Sequence, residues 1–162
     1  MNDEDKLKAD VFWKMYSEHC VQGRHHETQR STVIGVTLAV AAALVGIATF
    51  DRALGGILDI AVSVFLIFLG LFGAGFSMKH YERSKIHMER ARGYRDALDA
   101  MLSGRPIQTI KAIADATHGN KFPKMQKWRL HYWWIALNSA ISVLGVALLI
   151  VAAIFPVSPP PQ

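Results

Sequence analysis

Three stretches of this chain carry no charged residue, and they decide most of what it can become: Ser31–Phe50, Ile60–Met78 and Tyr132–Gln162. Crossing about 30 Å of hydrocarbon takes roughly 20 helical residues. Thr32–Phe50, Ile60–Met78 and Trp133–Phe155 have that length. A soluble protein can hide such a run as a core helix, but only if enough other protein surrounds it. Here 162 residues, 51% of them apolar, leave too little polar chain to cover three. The sequence therefore predicts an all-α integral membrane protein with three transmembrane helices and a helical cytoplasmic stalk.

The distribution of lysine and arginine predicts which side each segment faces. Five bases precede the first span (Lys6, Lys8, Lys14, Arg24 and Arg30), and only Arg52 lies between spans one and two. Twelve fall between Lys79 and Arg129, against five acids, and none follows the third span. The positive-inside rule then gives a multi-pass inner-membrane protein with a cytoplasmic N-terminus. Residues 1–31 form a cytoplasmic helix, 32–50 span one, 51–59 an external turn and 60–78 span two. Residues 79–132 are a cytoplasmic helical segment, 133–155 span three, and 156–162 an external disordered tail. A polar start of thirty residues does not suit a cleaved signal peptide. The single cysteine, Cys20, precludes an intrachain disulfide.

Local patterns refine the polar parts. Leu7, Val11, Met15 and His19 recur every four residues, widened by Phe12 and Tyr16, so the N-terminal segment reads as a helix that continues into span one. Asn2 or Asp3 suits its cap, and Gly23 marks a loosened junction. Gly55 and Gly56 suit a tight reversal. After span two, Tyr81, Ser84, Met88, Ala91, Arg95, Leu98 and Leu102 lie near a seven-residue repeat that can pack on the N-terminal helix. Gly104 suits a left-handed helix end and Pro106 a first turn, opening a short helix Pro106–Thr117. Gly119–Pro123 reads as a turn, with the last helix starting near Pro123 and entering the bilayer through Tyr132, Trp133 and Trp134.

Chemistry-bearing constellations are sparse. His19, Cys20, His25 and His26 cluster before span one, yet lack the paired spacing of a structural zinc site, so no metal is expected. No span holds an ionisable residue, no phosphate-cradling glycine loop occurs, and no catalytic set can be assembled. The expectation is a non-enzyme without cofactor or nucleic-acid partner. Within the spans, Asn138, Ser142 and Ser63 are the polar groups to watch, as interhelical glue or as pore lining. An unpaired amide in hydrocarbon costs several kcal/mol, so Asn138 must face another helix or water. Gly35, Ala39 and Ala43 on span one, with Gly70, Ala74, Gly73 and Ser77 on span two, form small-residue faces that let helices approach closely, within the chain or between copies. Arg83, Lys85, Arg90, Arg92, Arg95, Lys124, Lys127 and Arg129 form a cationic set for anionic lipid head groups or an anionic ligand.

The order of parts resembles one bacterial family. A helix with Trp13, Tyr16 and His19 leads into two closely spaced spans. A charged helix follows, with Tyr81-Glu82-Arg83 and Arg92-Gly93-Tyr94-Arg95. Over roughly residues 7–102 this layout is similar to the SLATT proteins, small membrane effectors of nucleotide-signalling conflict systems. The resemblance implies a homo-oligomeric effector that forms a pore or channel in bacterial conflict or antiphage defence, triggered by a cytoplasmic sensor protein or nucleotide signal. The alternative expectation is a non-conducting membrane anchor or scaffold that binds a cytoplasmic partner through its stalk.

Overall fold

A computed structural model describes residues 2–50, 56–125 and 128–155. They form four helices, α1 (Asp3–Thr49), α2 (Ile57–Ala100), α3 (Pro106–Lys121) and α4 (Leu130–Ile154), with no strand among the described residues. Stretches of α1, α2 and α4 are long and apolar enough to cross a membrane. The chain divides into two compact units. A polar unit contains the N-terminal part of α1 up to Thr28 and His80–Arg129, and an apolar unit contains Gln29–Lys79 and the chain from Leu130.

The polar unit is an antiparallel pairing of helices. Phe12 meets Tyr94, His19 meets His87 and His26 meets His80, so one number falls as the other rises. Asn2 begins α1 by accepting the Asp5 N–H at 2.7 Å, and Asp3, Glu4 and Asp5 oppose the positive helix end. The contact face shares Phe12, Tyr16 and His19 with the predicted one but turns away from Leu7 and Val11. Ala9, Phe12, Tyr16, His19, Gly23 and His26 are half-buried or buried, whereas Leu7 and Val11 stay 65% and 47% exposed. A strict four-residue step turns about 40° past a full turn each time and walks off any one face. Alternating steps of three and four stay on it. On α2 the same alternation runs through His80, Ser84, His87, Ala91, Tyr94, Leu98 and Met101, leaving Leu102 exposed.

Gly23 is a close approach rather than a loose joint. Helix α1 continues through it, and its carbonyl accepts a hydrogen bond from Ser84 Oγ at 3.1 Å. A Cβ there would lie 3.0 Å from Met88 Sδ. Ser84, an impurity in an apolar seam, is thus the small polar partner that this approach requires.

Asp99 sets the start of α3. Its carboxylate, 1% exposed, accepts the N–H groups of Ile107 at 2.8 Å and Gln108 at 3.1 Å. These are donors that the first turn of a helix cannot satisfy internally. Gly104 takes the left-handed φ of 77° expected of it, and Arg105 follows at 47°, a conformation that side chains disfavour. Gly119, Asn120 and Lys121 belong to α3 rather than to a turn, because Pro123 and not Gly119 ends it. A proline ring at that position would collide with the carbonyl four residues back in a continuing helix. The last helix accordingly starts at Leu130 instead of near Pro123. The reversal expected at 51–55 and the tail expected at 156–162 lie outside the described residues.

In the apolar unit, Ala41, Ala48, Val62, Leu66 and Ile141 form the core, with Leu44, Val45, Leu69 and Leu148 against it. Thr37 and Ser63 are buried and donate to backbone carbonyls four residues back, Val33 at 2.9 Å and Asp59 at 2.6 Å, so neither hydroxyl is stranded. Asp59 itself sits in the first turn of α2 and accepts the Gly56 N–H at 2.9 Å.

Candidate functional site

Two polar clusters stand out, one in each unit. In the apolar unit, α2 and α4 meet through glycines and short polar side chains. A Cβ on Gly70 would stand 2.6 Å from the Asn138 carbonyl oxygen and from the Ser142 nitrogen, and one on Gly145 would stand 2.8 Å from Ile67 N and Ser63 O. Only glycine allows backbones this near. Ser142 Oγ donates across to the Ile67 carbonyl at 3.0 Å, while Asn138 donates through its amide nitrogen to Trp134 O, one turn back.

The side chain of Asn138, fully buried, fills the notch left by Gly73, whose added Cβ would lie 2.7 Å from Asn138 Cγ. Asn138 Oδ1 has no hydrogen-bond partner there, nor does the buried Ser77 Oγ. The structure therefore places Ser63, Asn138 and Ser142 between helices of one chain. Gly70 and Gly73 belong to the same contact, Ala74 is half-buried, and Gly35, Ala39 and Ala43 face outward with open space beside Gly35.

The second cluster is a ladder of histidines in the polar unit. His19 Nδ1 lies 3.1 Å from His87 Nδ1, and His26 Nδ1 lies 3.4 Å from His80 Nδ1. The rings of His26 and His87 stack at 5.4 Å between these pairs, and His19 stacks on Tyr94 at 5.7 Å. In a bond between two such nitrogens one ring must offer a lone pair, so each pair bonds only while one of its rings is neutral. Burial holds His26 below the usual histidine range, with His87, His25 and Arg83 acting in the same direction. Burial does the same to His87, helped by His19, Arg90 and Arg83, while Glu18 pulls the other way.

Only half of this ladder is visible when α1 is read alone. The signal that would have found the rest is the shared spacing: His19 and His26 lie seven apart, as do His80 and His87. Two such pairs on antiparallel helices must fall in register. Among the described residues no three histidine, cysteine or acidic side chains converge as metal ligands.

The basic residues do not gather into one pocket. Arg92 pairs with Glu89 at 2.6 Å and Arg95 with Asp96 at 2.7 Å, and Lys85 lies 5.6 Å from the centre of the Tyr81 ring. Arg83, Arg90, Lys124 and Arg129 are exposed, and Lys127 lies outside the described residues. No protein-family model, curated protein or solved structure matches the chain.

Proposed function

We propose that this chain is a homo-oligomeric membrane effector that works as a non-conducting anchor, its spans holding the polar helical unit at the cytoplasmic face of the inner membrane for a sensor protein or nucleotide signal to engage. The supporting observation is the fate of the polar groups in the spans. Ser63, Asn138 and Ser142 are consumed in the packing of α2 against α4. The outward surface is instead set with Val36, Phe65, Phe68, Leu71, Phe72, Val143 and Ile150. Such a surface, interrupted on α4 by the exposed Ser139, suits lipid or another copy and supports an anchor over an ion path. The outward Gly35, Ala39 and Ala43 supply a face on which copies can pack closely. The side assigned to the polar unit rests on its fifteen bases, and the setting in conflict or antiphage defence rests on the SLATT resemblance.

Planar bilayers test this directly. Purified oligomer should leave them silent, and Asn138→Leu should change nothing there. Conductance that Asn138→Leu abolishes would overturn the anchor in favour of a pore. One observation favours that second reading: Asn138 Oδ1 and Ser77 Oγ are buried without partners, a cost that separating α2 from α4 in the presence of water would relieve.

A further inference from the structure

Two rings of the histidine ladder have no room for a second proton while α1 and α2 stay paired. Each pair bonds Nδ1 to Nδ1, at 3.1 Å in His19–His87 and 3.4 Å in His26–His80, so one ring of each must present a lone pair. Burial favours the neutral form of His26 and of His87, one ring from each pair, so these accept while His19 and His80 donate. The two acceptors also stack on each other, with 5.4 Å between ring centres. A proton added to either one therefore ends a cross-helix bond and sets a cation against the other ring. Little around them compensates that charge. His25, His87 and Arg83 act on His26, and His19, Arg90 and Arg83 act on His87, all of them cationic or able to become so. Glu18 is the one acid among these neighbours. The remaining contacts along the ladder are uncharged: Tyr94 stacks on His19, and Ser84 Oγ donates to Gly23 O at 3.1 Å.

We propose that the ladder is an acid-operated latch, clasping α1 to α2 while His26 and His87 are neutral and releasing these stretches when both are protonated. A ring freed by separation regains water and takes up its proton near the ordinary histidine value of about 6.5. Below that value the open form binds about two protons more than the closed one, so acid shifts the equilibrium towards it. The latch is local. Residues 19–26 and 80–87 hold all four rings, whereas the contact of Phe12 with Tyr94, which no proton in this range alters, lies beyond them. Imidazoles also hold transition metals, but among the described residues no third ligand joins either pair, short of what a zinc site uses. The inference rests on the geometry of the polar unit and is independent of the anchoring reading above.

The test uses tag-free full-length chains in nanodiscs, with Cys20→Ser as background and spin labels on Val21→Cys and Lys85→Cys, diluted with unlabelled chains. Between pH 7.5 and 5 the distance between the labels should lengthen, with a midpoint below about 6.5 and a steepness of about two protons. It should return when neutral pH is restored. His26→Gln with His87→Gln, which cannot be charged, should hold the neutral-pH distance throughout. His26→Gln alone should reduce the steepness to about one proton, which keeps the test open if the double variant does not fold. A label distance constant to pH 5, or a transition of unchanged steepness in either variant, would overturn the latch. So would a transition that does not reverse, or one abolished by EDTA, which would assign the rings to a bound metal ion.

Discussion

The two units bury helix against helix by opposite means. In the apolar unit the contact is made by absence: Gly70 and Gly145 remove side chains so that backbone meets backbone, Gly73 leaves the notch that Asn138 fills, and Ser142 bonds across. Lipid tails are as apolar as leucine, so nothing is gained there by hiding hydrocarbon from water, and close fit must do the holding. In the polar unit the layers are filled by Phe12, Tyr94, His19, His87, His26 and His80, large rings that touch at 5.3–6.2 Å. That unit carries a charged, exposed surface suited to water, where burying ring surface is worth having, and its close backbone approach falls at Gly23. The lesson is that one residue type, glycine, carries different weight in each.

Gly70→Ala should break the comparison at its strongest point, costing roughly 3 kcal/mol in reversible unfolding from bicelles, because backbone atoms of α4 cannot yield to the new methyl. Gly35→Ala, in open space, should stay within about 0.5 kcal/mol. Next in size is Asp99→Ala. Removing both acceptors from the start of α3 should cost about 2 kcal/mol and speed amide exchange over 106–121 about thirtyfold.

Acidification acts on the histidine ladder of the polar unit. The rings of His26 and His87 titrate below 6.5 in the folded chain, so below that value the unfolded chain binds more protons than the folded one. Stability is complete above pH 6.5 and declines as pH falls beneath it. Amide exchange over residues 15–28, corrected for its intrinsic pH dependence, should therefore quicken between pH 7.5 and 5.5, while residues 135–150 stay unchanged. Replacing His26 and His87 together by leucine should flatten that response. The smallest effect sharpens the contrast most. Gly23→Ala meets the flexible Met88 side chain at 3.0 Å and the Ser84 carbonyl at an ordinary 3.7 Å, so a small shift of Met88 admits the methyl and the gain in helix propensity should stabilise the polar unit by up to about 1 kcal/mol, read as a slightly raised thermal midpoint.

The existence and extent of the apolar helices were legible because the absence of charge is a long, unbroken signal. Gly104 and Asn2 were legible for a different reason, since each has a local conformational or capping preference. The seam of the polar unit was read in part, through Phe12, Tyr16, His19, Ser84, Ala91 and Leu98, and missed elsewhere because its other layers are histidine, tyrosine and glycine. A search for leucine-like periodicity picked Leu7 and Val11, which point outward. Asp99 gave no signal at all, because its partners at 107 and 108 are brought to it by the turn between the two helices. Asn138 stands out in the sequence as a group that must face another helix or water, but its seat at Gly73 depends on a helix crossing that no single helix reveals.

That seat has a consequence for how such a chain drifts. With the amide of one residue occupying the space vacated at another, neither position can change freely by a single step: enlargement at 73 collides, and truncation at 138 leaves a hole. The two sites are expected to travel as a linked pair, and a chain carrying asparagine at 73 and glycine at 138 is the exchange that would preserve the volume while reversing which helix supplies it.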